Sequence, residues 1–162
     1  MKTIAIYPGS FNPFHIGHLN ILEKSERIFG KGNVIIAMGL NIEKVVDEDN
    51  DNHLVICSKE WDANQLKKKI GREVIVYTNF LHELVEKYEN DGFNVVVVRG
   101  LRNGADLDYE VNQKRWVDDF KKDVNYVYIT CDKDFEHISS SAIRKLEKFG
   151  GTEMTKKYLT QN

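Results

Sequence analysis

The sequence has no apolar run approaching the roughly 18 residues that a membrane-spanning helix needs. Its opening Met1-Lys2-Thr3 leads straight into a strand-like run, without the apolar segment of a signal peptide. A cytoplasmic protein with no membrane partner is therefore expected. Cysteine is scarce: Cys57 and Cys131 are the only two, without C-x-x-C spacing, and they read as reduced thiols, neither of them a candidate nucleophile. Charge of one sign is lacking too. The 23 basic and 25 acidic residues leave a formal charge of −2, so there is no basic footprint for duplex nucleic acid, and Lys67-Lys68-Lys69 reads as a solvated helix face.

What the sequence does contain is alternation. Apolar runs at 3–7, 34–38, 74–77, 95–98 and 124–130 read as five strands, and the run at Val95 is apolar at every position, as in a strand buried on both faces. Helical patterns fill the gaps at roughly 17–29, 57–70, 79–90 and 106–120, with a last helix from about Ser140. Leu81, Leu84, Val85 and Tyr88 form a clear apolar stripe. This order predicts an α/β fold in one domain spanning 1–162: a Rossmann-like, doubly wound, five-stranded parallel sheet with helices on both faces. Its length suits one core burying about 70% of the surface that the unfolded chain exposes.

In such sheets ligands bind beyond the carboxyl ends of the strands. Four segments follow strand ends: Ser10 to His18, Asn41 to Lys44, Arg99 to Arg102 and Phe135 to Ser141. The first is the most informative. Pro8-Gly9 closes a strand, the glycine lets backbone approach a phosphate, and a helix begins near Gly17 with unpaired N–H groups facing the same space. His15 and His18, three apart, project from one turn toward that phosphate. The stretch Asp47-Glu48-Asp49-Asn50-Asp51-Asn52 resembles a calcium loop only superficially: counted from Asp47, position 6 is Asn52 instead of glycine and position 12 is Ser58 instead of glutamate, so it reads as a solvated loop and no protein-held metal is expected.

Three blocks carry a resemblance. Gly9-Ser10-Phe11-Asn12-Pro13-Phe14-His15-Ile16-Gly17-His18 resembles the H-x-G-H signature of the nucleotidyltransferase superfamily; Arg99-Gly100-Leu101-Arg102 with Asp106, Tyr109 and Glu110 resembles the block specific to the phosphopantetheine adenylyltransferases; and Ile138-Ser139-Ser140-Ser141 ahead of Ala142-Ile143-Arg144 resembles the third block of that family. The resemblance covers nearly the whole chain. It departs from the family at 45–53, where a Pro- and Phe-containing stretch leading into Glu-Glu-Arg is usual. It departs also at His15, where the family commonly has Thr, and at Arg144, where it has Lys.

The resemblance implies adenylyl transfer from ATP to 4'-phosphopantetheine, giving dephospho-coenzyme A and pyrophosphate, by a homohexamer. It implies that His18 is catalytic and that Ser10, Phe11, His18, Gly100, Leu101, Arg102, Glu110 and the loop Phe135, Glu136, His137, Ile138, Ser139, Ser140 and Ser141 meet ATP. Ser10, Lys44, Leu81 and Arg99 are implied for the acceptor. Read from the residues themselves, serines before an apolar helical pattern are also N-cap chemistry, with Ser139 or Ser140 accepting from early helix N–H groups. Mg2+ is expected as an ion held mainly by ATP phosphates and water. Two alternatives stand beside this reading: adenylyl or cytidylyl transfer to another small phosphate such as nicotinamide mononucleotide, and a catalytically silent nucleotide-binding module.

Overall fold

The computed structural model describes residues 1–40 and 52–160. Five parallel strands, β1 (Thr3–Gly9), β2 (Val34–Gly39), β3 (Val74–Tyr77), β4 (Asn94–Leu101) and β5 (Asn125–Thr130), form one sheet in the order β3-β2-β1-β4-β5. The helices are α1 (Ile16–Phe29), α2 (Asn52–Ile70), α3 (Leu81–Asn90), α4 (Gly104–Phe120), α5 (Ser140–Lys148) and the short α6 (Thr152–Thr155).

Strand alternation divides the core in two. Ala5, Tyr7, Ile36, Met38 and Val98 face one side and pack with Ile21 and Leu22 of α1 and with Ala63, Leu66 and Ile70 of α2. Ile4, Ile6, Ala37, Val95 and Val97 face the other and pack with Leu84 and Val85 of α3 and Val117 of α4. A sheet buried on both faces explains why its strands read as unbroken apolar runs.

The sheet splays at one place, and that place positions the site. β1 stays paired with β2 as far as Gly9↔Met38, and β4 with β5 as far as Leu101↔Thr130. Between β1 and β4, however, the ladder stops at Ile6↔Val97. The carboxyl ends of the two central strands therefore part at the point where strand order reverses, the position at which such sheets bind ligands.

The boundaries agree with the sequence reading at the end of β1 and differ from it in β4, in α2 and after α5. β1 ends at Gly9, as the Pro8-Gly9 pair indicated, two residues beyond its apolar run. Proline is tolerated because its missing N–H falls where the β4 ladder has ended, and Arg99 Nη1 donates to the Pro8 carbonyl at 2.9 Å. β4 includes Arg99, Gly100 and Leu101, since apolar pattern reports burial whereas the ladder to β5 continues beyond it. α2 starts at Asn52, five residues before the apolar periodicity that marked it. Finally, α6 and the 3-10 turn Lys156–Tyr158 carry no periodic signal and were not expected.

Candidate active site

The Gly9-Ser10-Phe11 corner is shaped by an aromatic ring. Phe11 has φ of 47°, unusual for a residue with a side chain. Its ring is buried, edge-on to Tyr7 (centroids 5.1 Å) and to His18 (4.9 Å); that packing holds the backbone there. A Cβ on Gly9 would meet Phe11 Cζ at 2.9 Å. The Cβ direction over Gly9 is thus filled by the Phe11 ring, while Gly9 itself lines the cavity at this corner.

Two histidines start α1. His15 is its N-cap, and its Nδ1 accepts from the N–H of Gly17 (3.1 Å) and of His18 (3.4 Å). The His18 Nδ1 accepts in return from the His15 N–H at 3.2 Å. This is a reciprocal capping box built from imidazoles. Burial, with Arg102 nearby, lowers the His15 pKa to about 4. Burial first, then His15 and Arg102, holds His18 well below its ordinary value. Both rings are neutral near pH 7. With Nδ1 accepting, each carries its proton on Nε2.

The two arginines of the second block are held by α4. Arg99 donates through Nε and Nη2 to the two carboxylate oxygens of Glu110, both at 2.7 Å. Arg102 donates through Nε and Nη2 to Asp106, both at 3.0 Å, and its backbone N–H donates to Asp106 at 2.8 Å. Asp106 sits in the first turn of α4, whose N-cap Asn103 accepts the Asp106 N–H. The Arg102 hydrogen bonds lower the Asp106 pKa.

The third block opens α5. Ser139, not Ser140, is the cap, accepting from the Ala142 N–H at 3.1 Å. The Ser140 hydroxyl donates to the Pro13 carbonyl (2.9 Å) and Arg144 Nη1 to the Asn12 carbonyl, so α5 is tied to the loop ahead of α1.

These pieces enclose a cavity of about 510 Å³ at the splay between β1 and β4. Of the residues expected at ATP, Ser10, Phe11, His18, Gly100, Leu101, Arg102 and Glu110 line it, as do Phe135, Ile138, Ser139, Ser140 and Ser141. Glu136 and His137 are exposed and do not; His137 instead meets the Tyr158 ring edge-on at 6.0 Å. A second cavity of about 380 Å³ shares Arg99, Tyr109 and Glu110 with the first and is lined by Leu81, so the expected acceptor residues Leu81 and Arg99 stand on one wall. Ser10 remains at the first cavity, and Lys44 lies outside the described residues.

Sequence reasoning missed Tyr7, Ile21, Cys131 and Lys59. The first three line the cavity through sheet and helix packing that no local motif encodes. Lys59 Nζ reaches the Ser10 carbonyl at 2.6 Å from α2, and only the three-dimensional approach of that helix identifies it. Chemically, the cavity gathers two neutral imidazoles, arginines, serine hydroxyls and two helix N-termini, a set of donors for an anion on which negative charge increases.

The comparisons agree with this geometry. Residues 6–146 match the cytidylyltransferase-like family model. A Mycoplasma capricolum phosphopantetheine adenylyltransferase is 37% identical, over 89% of this chain and 96% of its own length. That of Mycoplasma mycoides is 36% identical, over 91% and 97%. Among solved structures, the Plasmodium falciparum nicotinic acid mononucleotide adenylyltransferase superposes with a TM-score of 0.59 at 18% identity, over 98% of this chain and 90% of that one, which speaks for the fold. The chain belongs to the cytidylyltransferase-like family and, within it, to the phosphopantetheine adenylyltransferases.

Proposed function

We propose that this nucleotidyltransferase moves the adenylyl group of ATP to 4'-phosphopantetheine, giving dephospho-coenzyme A and pyrophosphate. The observation that carries the reading is a pair of neighbouring cavities that share Arg99, Tyr109 and Glu110 in their walls. One is rich in phosphate-binding donors. The other combines Arg99 with the apolar walls of Phe80, Leu81, Trp116 and Val117, which suits a long uncharged arm ending in a phosphate.

The acceptor phosphate is a dianion near neutral pH, so the reaction needs positioning and charge stabilisation more than a base. An acceptor oxygen bonds to the α-phosphorus as the bond to the bridging oxygen breaks, and pyrophosphate leaves with that electron pair. His18, offering Nε2–H from the start of α1, stabilises the charge that builds on the α-phosphate oxygens. Ser10, Arg102 and the α5 start hold the nucleotide; Arg99 and Lys44 hold the acceptor.

Mg2+ belongs to this reading as a companion of the triphosphate, neutralising its charge. Among the described residues no three His, Cys, Asp or Glu side chains converge, and Asp106 and Glu110 are occupied by arginines, a donor set that fits an ion held by substrate and water. The reading also includes the cytoplasm as location and a homohexamer as assembly, the latter checked by sedimentation. Among the described residues no helix is long and apolar enough to cross a membrane.

Pyrophosphate release with ATP, Mg2+ and a panel of acceptors tests the function. Turnover should require 4'-phosphopantetheine. Faster turnover with nicotinamide mononucleotide or glycerol 3-phosphate would overturn the acceptor, and nucleotide binding without turnover would make the chain a silent binding module.

A further inference from the structure

Asp106 and Glu110 stand one turn apart on α4, and each holds one arginine from the end of β4 through the same two nitrogens, Nε and Nη2. Four residues apart on a helix means one face, so α4 presents a two-step ladder of carboxylates to the splayed edge of the sheet. The ladder is built into the fold. Glu110 is buried, Arg99 adds a third bond to the Pro8 carbonyl, and Asp106 is fixed by Asn103 and by the Arg102 backbone.

We propose that Asp106 and Glu110 are positioning residues that act through Arg102 and Arg99, fixing the direction in which each guanidinium presents its remaining N–H groups to the substrates. Which substrate each arginine meets rests on the function proposed above; that the carboxylates act through the arginines does not. A bidentate pair orients a planar guanidinium as a single hydrogen bond does not. Neutralising the carboxylate frees the arginine and also removes a negative charge near an anionic substrate. These effects oppose each other in binding; the charge effect is nearly common to the bound substrates and the transition state, so kcat reports mainly the lost aim.

The test is a pair of double-mutant cycles read in kcat and KM. Asp106→Asn and Glu110→Gln should each lower kcat about tenfold or more while the KM for ATP moves less than about threefold. In an Arg102→Ala background Asp106→Asn should add less than about a twofold change, and Glu110→Gln likewise in Arg99→Lys, which keeps a cation opposite the buried carboxylate. Asp106→Glu, which retains the charge, should recover part of the lost rate. Additive effects on kcat would overturn the proposal, as would a Glu110→Gln enzyme whose main defect is a raised KM for ATP. A lower melting temperature with kcat unchanged would reduce the carboxylates to braces and overturn it too. Turnover is followed with whichever acceptor of the panel releases pyrophosphate, so failure of 4'-phosphopantetheine as acceptor leaves both cycles readable.

Discussion

His15 and His18 cap one helix with each other: each ring accepts a backbone N–H through Nδ1, and the two rings stack with centroids 3.7 Å apart. The arrangement commits both Nδ1 lone pairs to the fold and leaves Nε2–H for the cavity. Helix capping thus uses one edge of each imidazole, and the opposite edge of His18 is the one the proposed reaction would use. His18→Ala should lower kcat about a hundredfold or more with little change in ATP affinity, since a donor to developing charge contributes roughly 3–4 kcal/mol in the transition state alone. Because half the capping box is lost as well, roughly 0.5–2 kcal/mol of stability should go with it. Steady-state kinetics measured well below the melting temperature separate the two effects, and near-normal kcat would remove His18 from the chemistry.

Acid should destabilise the fold through this same pair. The His15 pKa is about 4 in the folded chain, against an ordinary value of 6.5. Between these values the unfolded chain binds the proton that the folded one refuses, so stability is complete above about pH 6.5 and falls as pH drops toward 4. The shift corresponds to about 3 kcal/mol for His15, and His18, depressed by burial, acts in the same direction. Urea unfolding between pH 4 and 7 should show this slope. In His15→Thr, where the hydroxyl can still cap α1, the slope should be shallower; an unchanged slope would clear His15 of the effect.

The two arms of the site should separate kinetically. Because Asp106 acts through it, Arg102→Ala should lower kcat at least as far as Asp106→Asn does; it should also raise the KM for ATP tenfold to a hundredfold, the loss of a charge-assisted hydrogen bond of roughly 1.5–3 kcal/mol, and leave the acceptor constant within about threefold. Lys44→Ala should do the reverse to the two KM values. Initial-rate measurements with each substrate varied in turn decide it.

The parallel sheet was legible because strands buried on both faces leave continuous apolar runs, and the helices because their stripes have the helical period. What pattern could not show is where backbone pairing ends. The apolar run of β4 stops at Val98, yet the strand continues through Arg99 to Leu101, carrying both the arginine and the cavity floor. The three motif blocks pointed to most of the cavity-lining residues. They could not show that Arg99 and Glu110 are partners, since eleven positions separate them and only the approach of α4 to β4 joins them. The part Phe11 plays beside Gly9 was hidden for a related reason: the ring that fills the Cβ direction of Gly9 lies two residues on, in a left-handed conformation with no local signal.

Gly100, by contrast, has no turn to make. It lies inside β4 opposite Ile129 of β5, and a Cβ there would sit 2.9 Å from Ile21 Cγ1 and 3.3 Å from Cδ1 and Cγ2. Ile21 is fully packed in α1, and its branched side chain has few rotamers to retreat into. Gly100→Ala should therefore push α1 off the sheet and cost about 1–3 kcal/mol. That displacement carries the capping histidines with it, so kcat should fall along with the melting temperature. Ile21→Ala alone leaves a cavity worth about 2–5 kcal/mol. Combined with Gly100→Ala it makes room for the new methyl, so the double variant should be more stable than the sum of the single losses by about 1 kcal/mol or more. Thermal unfolding of the four proteins closes the cycle. Strict additivity would mean that the contact between Gly100 and Ile21 does not set the distance of α1 from β4.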